Sequence, residues 1–270
     1  MEEIILPNVR KIFIPDSGWI VFDCDLSGAD AQVVAWEADD EDLKTAFRAG
    51  LDVHSKNAED MMGAAFTRLT GNERKKVRQA NKSAVHGTNY GATPSGLANH
   101  PSIGWTVHEA DKFQKRWFSL HPKIGPVSKL GSWHHRIQQS INRFKMVENR
   151  FGYRRVYFDR PDDVFTEALA WVPQSTVALV TFYGALKLAK GFLQKEPLTT
   201  KELVLKGNPN LEILLQNHDS LVFQVRSMDA HRTGEMRELL NTLIPYSDPL
   251  LIPWGFAKSA KSWGDVEKVA

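Results

Sequence analysis

The apolar run Trp19–Ile20–Val21–Phe22, aromatic and β-branched, predicts a buried strand that stops at Asp23, Cys24 and Asp25. Helical periodicity follows over Ala29–Ala38, Asp40–Ala49 and His54–Gly63, then through a basic stretch between Gly71 and Gly91. A second helical block covers Val107 to Val147, interrupted near His121–Pro122. Phe151–Gly152–Tyr153 opens an irregular or hairpin segment reaching Phe158, and Asp163 to Ala189 predicts a long helix that Pro173 should kink. Leu211–Gln216 and Leu221–Val225 are apolar runs separated by Asn217–His218–Asp219–Ser220, the composition of a hairpin with a polar turn. A helix from Met228 to Leu243 and a last strand near Leu250–Pro253 complete the pattern. These elements predict an α+β fold, with a small antiparallel sheet and a helical lobe.

Three of these segments carry candidate chemistry. A carboxylate at the end of a buried strand is costly to desolvate unless a cation neutralises it. A divalent metal would serve Asp25 in that way, although a surface turn acid is the plainer reading of that residue alone. Asp219, in its turn, would sit at a sheet edge where hard oxygen ligands for magnesium gather. Carboxylates from separate strands can share two metal ions about 3.5–4 Å apart, the arrangement that clamps the attacking and leaving oxygens in phosphoryl transfer. The third segment is the basic helix. Arg78, Lys82, His86 and Tyr90 recur every four residues and share one slowly drifting face, cationic first and aromatic last. Such an order suits a nucleoside triphosphate lying along the helix, with its phosphates at Arg78 and Lys82. A solvated basic helix is the alternative. Gly87 and Gly91 cost helix stability and would let a base pair approach the backbone.

The order and detail of these segments resemble the DNA polymerase I family, or family A. DLSGADAQVVAWEA is similar to the first palm motif, which implies Asp25 as a metal ligand and Asp30 in the place of a glutamate beside the sugar. Arg78–x3–Lys82–x3–His86–x3–Tyr90–Gly91 is similar to the fingers helix, and LLQNHDSLVFQV to the third motif with its His218–Asp219 pair. LDVHSKNAEDMMG resembles a segment that would put His54 near the triphosphate tail. Gln174 in VPQST matches a segment near template and primer, and Ser262–Trp263–Gly264 the family's closing motif.

The resemblance is phage-like and covers the chain from about Pro7 to its end. It implies template-directed DNA synthesis, with two Mg²⁺ ions held by Asp25 and Asp219 and transfer from a dNTP to a primer 3′-hydroxyl. It further implies nucleotide contacts from Asp30, His54, Arg78, Lys82, His86 and Tyr90, DNA contacts from Gln174 and His218, and catalytic roles for Asp25, Asp219 and Lys82. Residues 1–45 would form the first part of the palm, 46–150 the fingers and 151–270 the second part of the palm. The thumb is absent from this reading, so a separate thumb-bearing polypeptide, with or without an exonuclease, is expected as a partner beside primer-template DNA and dNTP.

The chain also departs from the family. His86 stands where an aromatic ring is usual, and Asp30 is a methylene shorter than the usual glutamate. Gln32, Thr166 and Ala170 replace polar or basic residues, and Ser220 replaces an acid. Two alternatives therefore stay open: a catalytically weak or inactive DNA-binding subunit, and a single-subunit RNA polymerase core. Asp30 and the Arg78–Lys82 spacing speak against the second.

Net charge is weak evidence at +2 and pI ≈ 8.5, yet five Lys or Arg face one Glu between Gly71 and Tyr90, enough for a phosphate-facing surface. One cysteine, Cys24, excludes a disulfide within the chain and suits a reducing, cytoplasmic setting, the host cytoplasm for a viral protein. No apolar stretch is expected to reach membrane-spanning length, and MEEIILPNVR is too acidic and too briefly apolar for a secretory signal. A soluble protein without membrane contact is expected. No CxxC or HExxH spacing suggests zinc. His134 and His135 face different sides of a helix expected to be solvated, and Trp36, Trp117 and Trp171 fall on apolar stripes expected to be core.

Overall fold

The computed structural model describes residues Pro7–Val269; the MEEIIL segment read above as no signal lies outside them. After a 3₁₀ turn at Val9–Ile12 come β1 (Trp19–Leu26), α1 (Ala29–Ala38), α2 (Glu41–Arg48), α3 (Val53–Met62), α4 (Ala64–Thr67) and α5 (Gly71–Asn89). Then follow α6 (Pro94–Ala98), α7 (Val107–Leu120), α8 (Trp133–Phe144), β2 (Met146–Glu148), β3 (Arg154–Val156) and α9 (Pro161–Gly191). The chain continues through α10 (Thr200–Lys206), β4 (Leu211–Asn217), β5 (Ser220–Arg226), α11 (Thr233–Leu240), β6 (Trp254–Ser259) and β7 (Glu267–Val269). The α+β expectation holds: one antiparallel five-stranded sheet accompanies eleven helices among the described residues.

Two compact units divide the chain, one formed by the residues up to Ala29 together with those from Thr176 onwards, the other by Asp30–Ser175. The first holds the sheet, in strand order β4-β5-β1-β6-β7. On one face of its centre, β1, Phe22, Cys24 and Leu26 are buried; on the other, Trp19 and Val21 are buried while Asp25 is exposed. Only the first half of the strand is covered on both faces, where the run Trp19–Phe22 is continuously apolar. Phe22 lies directly opposite Phe223 of β5, the rings stacked with centroids 5.3 Å apart. The C-terminal half of α9 meets α11 closely: a Cβ on Gly184 would lie 2.7 Å from the Leu240 carbonyl oxygen.

The second unit is helical apart from the β2–β3 hairpin. Its core includes Trp117, Trp133, Ile124 and Ile141. Buried Asp40 caps α2 through the Leu43 amide and also pairs with His121 Nδ1 at 3.0 Å. Trp36 and Trp117 are buried as expected, whereas Trp171 is half-buried.

Several expectations are corrected. The first strand, expected to end at Asp25, runs one residue further to Leu26, because β6 pairs with it through Leu26↔Trp254. The break after α7 runs from His121 to Ser132 and holds the turns that carry the chain to α8. In place of a helix over Met228–Leu243 there is a 3₁₀ turn at Ser227–Asp229, followed by the shorter α11. Leu250 makes only an isolated bridge to Ile244, and the last strands are β6 and β7.

His134 is not solvated. It is buried, with Nε2 2.8 Å from the Asn89 carbonyl oxygen, and burial pushes its pKa down to about 4. Helix α9 is long and apolar enough, by length and composition, to cross a membrane, contrary to the expectation that no stretch is. No charged residue stands between Glu167 and Lys187. Ala168, Leu169 and Val172 in one unit and Val177, Val180 and Leu188 in the other are buried, and such core packing favours an uncharged run.

Candidate active site

In the sheet-bearing unit, the β4–β5 hairpin carries the second carboxylate. Asn217 pairs with Ser220 across a two-residue turn, and His218 takes a left-handed conformation, φ +50°, which few non-glycine residues adopt. This tight reversal puts the Asp219 carbonyl where the Leu26 amide donates to it at 2.9 Å. On β1, Asp25 is exposed and lies directly opposite Ser220. Asp25 and Asp219 are thus brought together at one end of the two adjacent central strands. The lateral edges of the sheet are β4 and β7, and Asp219 lies in the turn that joins edge strand β4 to β5.

Asp23 shares Asp25's face of the pleat and is held by Trp263, whose Nε1 donates to Asp23 Oδ2 at 2.7 Å, and by Arg10 at 3.7 Å. Cys24, between the two, points into the core, where burial and then the Asp23 charge push its thiol pKa well up. Exposed His218 stands at the hairpin turn itself.

Among the described residues no cluster of three or more His, Cys, Asp or Glu forms a metal cage. The donor chemistry fits magnesium all the same. Mg²⁺ takes hard oxygens and commonly binds one or two carboxylates together with substrate phosphates and water. Asp25 and Asp219 supply two such carboxylates.

In the other unit α5 is set by a capping box: the Glu73 amide donates to Thr70 Oγ1, and the Thr70 amide donates to Glu73 Oε2 at 2.8 Å. The helix ends at Asn89, so Tyr90 is its C-cap, followed by Gly91 at φ +78°. Lys82 and His86 are exposed and Arg78 half-buried. The His86 and Tyr90 rings meet edge-on with centroids 4.3 Å apart. Asp30, at the start of α1, lies beside the Tyr90 phenol; burial and then this carboxylate push the phenol's pKa well above its usual value. His86, Tyr90 and Asp30 therefore form one group.

His54, on α3, faces the basic helix. Burial first, then the charges of Lys82 and Arg78, push its pKa down to about 4, and its Nδ1 is buried without a hydrogen-bond partner. Asp52, just before α3, takes the Arg78 guanidinium in a two-pronged ion pair. Twenty-six residues separate these partners, and no local pattern signals the contact. Gln174 is exposed on α9, directly after Pro173.

Neither glycine leaves the backbone open to a base pair as expected. A Cβ on Gly87 would lie 2.6 Å from Leu97 Cδ2, and one on Gly91 3.1 Å from Leu169 Cδ1. Gly87 thus admits α6, and Gly91 supplies the left-handed turn after α5.

The chain is 28% identical over 250 residues to the thermostable DNA polymerase I of Thermus filiformis, across 91% of its own length and 27% of that protein's. It is 34% identical over 118 residues to DNA polymerase I of Geobacillus stearothermophilus, across 43% of this chain and 13% of that one. It therefore spans about a quarter or less of these curated relatives. Its fold is similar to the POL domain of Pol1 from M. smegmatis, solved in complex with DNA primer-template and dNTP. The TM-score is 0.74 at 19% identity, covering 96% of this chain and 42% of that one. The sequence profile of DNA polymerase family A matches residues 3–264, and the chain belongs to that family.

Proposed function

We propose that this chain carries the palm and fingers part of a family A DNA polymerase and catalyses template-directed transfer from a dNTP to a primer 3′-hydroxyl. The observation that carries this reading is the juxtaposition of Asp25 and Asp219 at the ends of β1 and the β4–β5 hairpin. These two residues would hold two Mg²⁺ ions, whose chemistry is to acidify a hydroxyl nucleophile and neutralise phosphate charge. On α5, Lys82 and Arg78 bind the triphosphate, and Lys82 offsets the charge that grows on the leaving pyrophosphate. His54, neutral at pH 7, adds a contact to the phosphate tail. Asp30, His86 and Tyr90 wall the sugar, while Gln174 and His218 contact primer-template.

Duplex DNA is held largely through its phosphates, and a net charge of +2 provides little of that attraction. A thumb-bearing polypeptide would supply the remaining surface. The test is magnesium-dependent extension of a primed template by this chain, with duplex binding followed across salt concentrations. Extension that depends on magnesium and on Asp219 supports the reading; DNA binding with no incorporation under any metal condition would make the chain a non-catalytic subunit.

A further inference from the structure

The Arg78 guanidinium is already engaged by an anion. Its Nε donates to Asp52 Oδ2 at 2.5 Å and its Nη2 to Asp52 Oδ1 at 3.0 Å. This parallel fork is the geometry in which arginine also takes phosphate. Ser55 Oγ donates to Asp52 Oδ2 at 2.6 Å and so holds the carboxylate in place. Burial raises the Asp52 pKa, but the Arg78 and Ser55 hydrogen bonds outweigh it and keep the group ionised. Of the charges acting on neighbouring His54, Lys82, Arg78 and His86 are basic and Asp52 is the acid.

We propose that Asp52 competes with the triphosphate for Arg78. In the nucleotide-free protein its carboxylate holds the guanidinium fork in a phosphate-ready orientation, and phosphate oxygens replace it on binding. Asp52 is then a positioning residue that sets nucleotide affinity. The identity of the ligand rests on the polymerase reading; the exchange rests on the ion pair. Replacing one two-pronged anion by another preserves the hydrogen bonds of the fork, and the released carboxylate, whose side chain is already 44% exposed, regains water readily. The competition also selects by charge. A ligand with less negative charge than a triphosphate displaces Asp52 poorly, so inorganic phosphate binds weakly beside dNTP.

The experiment is calorimetric titration of the full chain with inorganic tripolyphosphate, with thermal melting to report folding. Asp52→Asn should bind tripolyphosphate about two- to fivefold more tightly, the scale of a partly exposed ion pair. In an Arg78→Ala background the same change should have no effect on affinity, a coupling that a merely structural role would not produce. A folded Asp52→Asn protein with unchanged or weaker affinity would overturn the proposal. If that variant does not fold, Ser55→Ala, which removes only the supporting hydroxyl, should give a smaller tightening, and unchanged affinity there overturns it equally. Failure of primer extension with these affinities as stated would refute the polymerase reading alone.

Discussion

The Leu26 amide donates to the Asp219 carbonyl at 2.9 Å, which ties the peptide following Asp25 to that of the second carboxylate. Backbone pairing between central strands therefore sets the two acids beside one another. Asp25 is exposed and Asp219 half-exposed, so Asp25→Asn or Asp219→Asn should leave melting within about 0.5 kcal/mol of the parent, as for other surface changes. Each should lower primer extension by at least about 10²–10³-fold, the scale of losing a main charge-stabilising group. Near-normal incorporation by Asp219→Asn would remove the hairpin tip from the site.

Lys82 is exposed one turn beyond Arg78 on α5, and its removal costs little packing. Lys82→Ala should reduce the single-turnover rate by about 10²-fold or more, because the charge it offsets grows toward the transition state. Single-turnover kinetics over a range of dNTP concentrations check this; a loss confined to KM would show ground-state binding only.

Sugar selectivity should depend on the group around Tyr90. Asp30 lies beside its phenol and His86 meets its ring edge-on. Asp30→Ala should raise ribonucleotide use relative to deoxyribonucleotide use, and His86→Phe should alter acceptance of 3′-deoxy substrates. Competition assays that find both ratios unmoved place these residues outside the sugar site.

His134 is buried, with its pKa pushed down to about 4. The unfolded chain binds a proton at this residue below about pH 6.5, whereas the folded chain does so only near pH 4. Stability from this group is thus fully present above pH 6.5 and declines as pH falls toward 4, by roughly 2–4 kcal/mol in all. Urea unfolding measured from pH 7 to 4 should show this decline, and His134→Gln should flatten it. The half-buried His54, also depressed to about 4, adds to the slope in the same direction.

Gly184 lets α9 meet α11, where a Cβ would lie 2.7 Å from a backbone oxygen of Leu240. Backbone yields less readily than a side-chain tip, so Gly184→Ala should destabilise by about 1–3 kcal/mol. Thermal or urea unfolding measures it, and a neutral result would mean that the two helices separate freely here.

The spans of α1, α2 and α3 were legible along the chain almost to the residue, and so was the β4–β5 hairpin. Periodicity, caps and turn composition are local signals, carried by residues within a few positions of one another. The same locality made Arg78, Lys82, His86 and Tyr90 recognisable as one face of α5, and Asp25 and Asp219 as polar ends of apolar runs.

What the sequence by itself determined, then, were α1 to α3, the β4–β5 hairpin, the α+β class and the motifs of family A. Tertiary structure decided their partners. Only pairing on both sides carries β1 on to Leu26, puts β4 at the sheet's edge and sets the Asp219 hairpin beside Asp25. Likewise only packing buries His134 against Asn89, fills the space beside Gly87 with Leu97 and gives Arg78 to Asp52. These contacts join residues distant in sequence, and burial and charge pairing between such residues depend on which surfaces meet, a choice that no local pattern encodes.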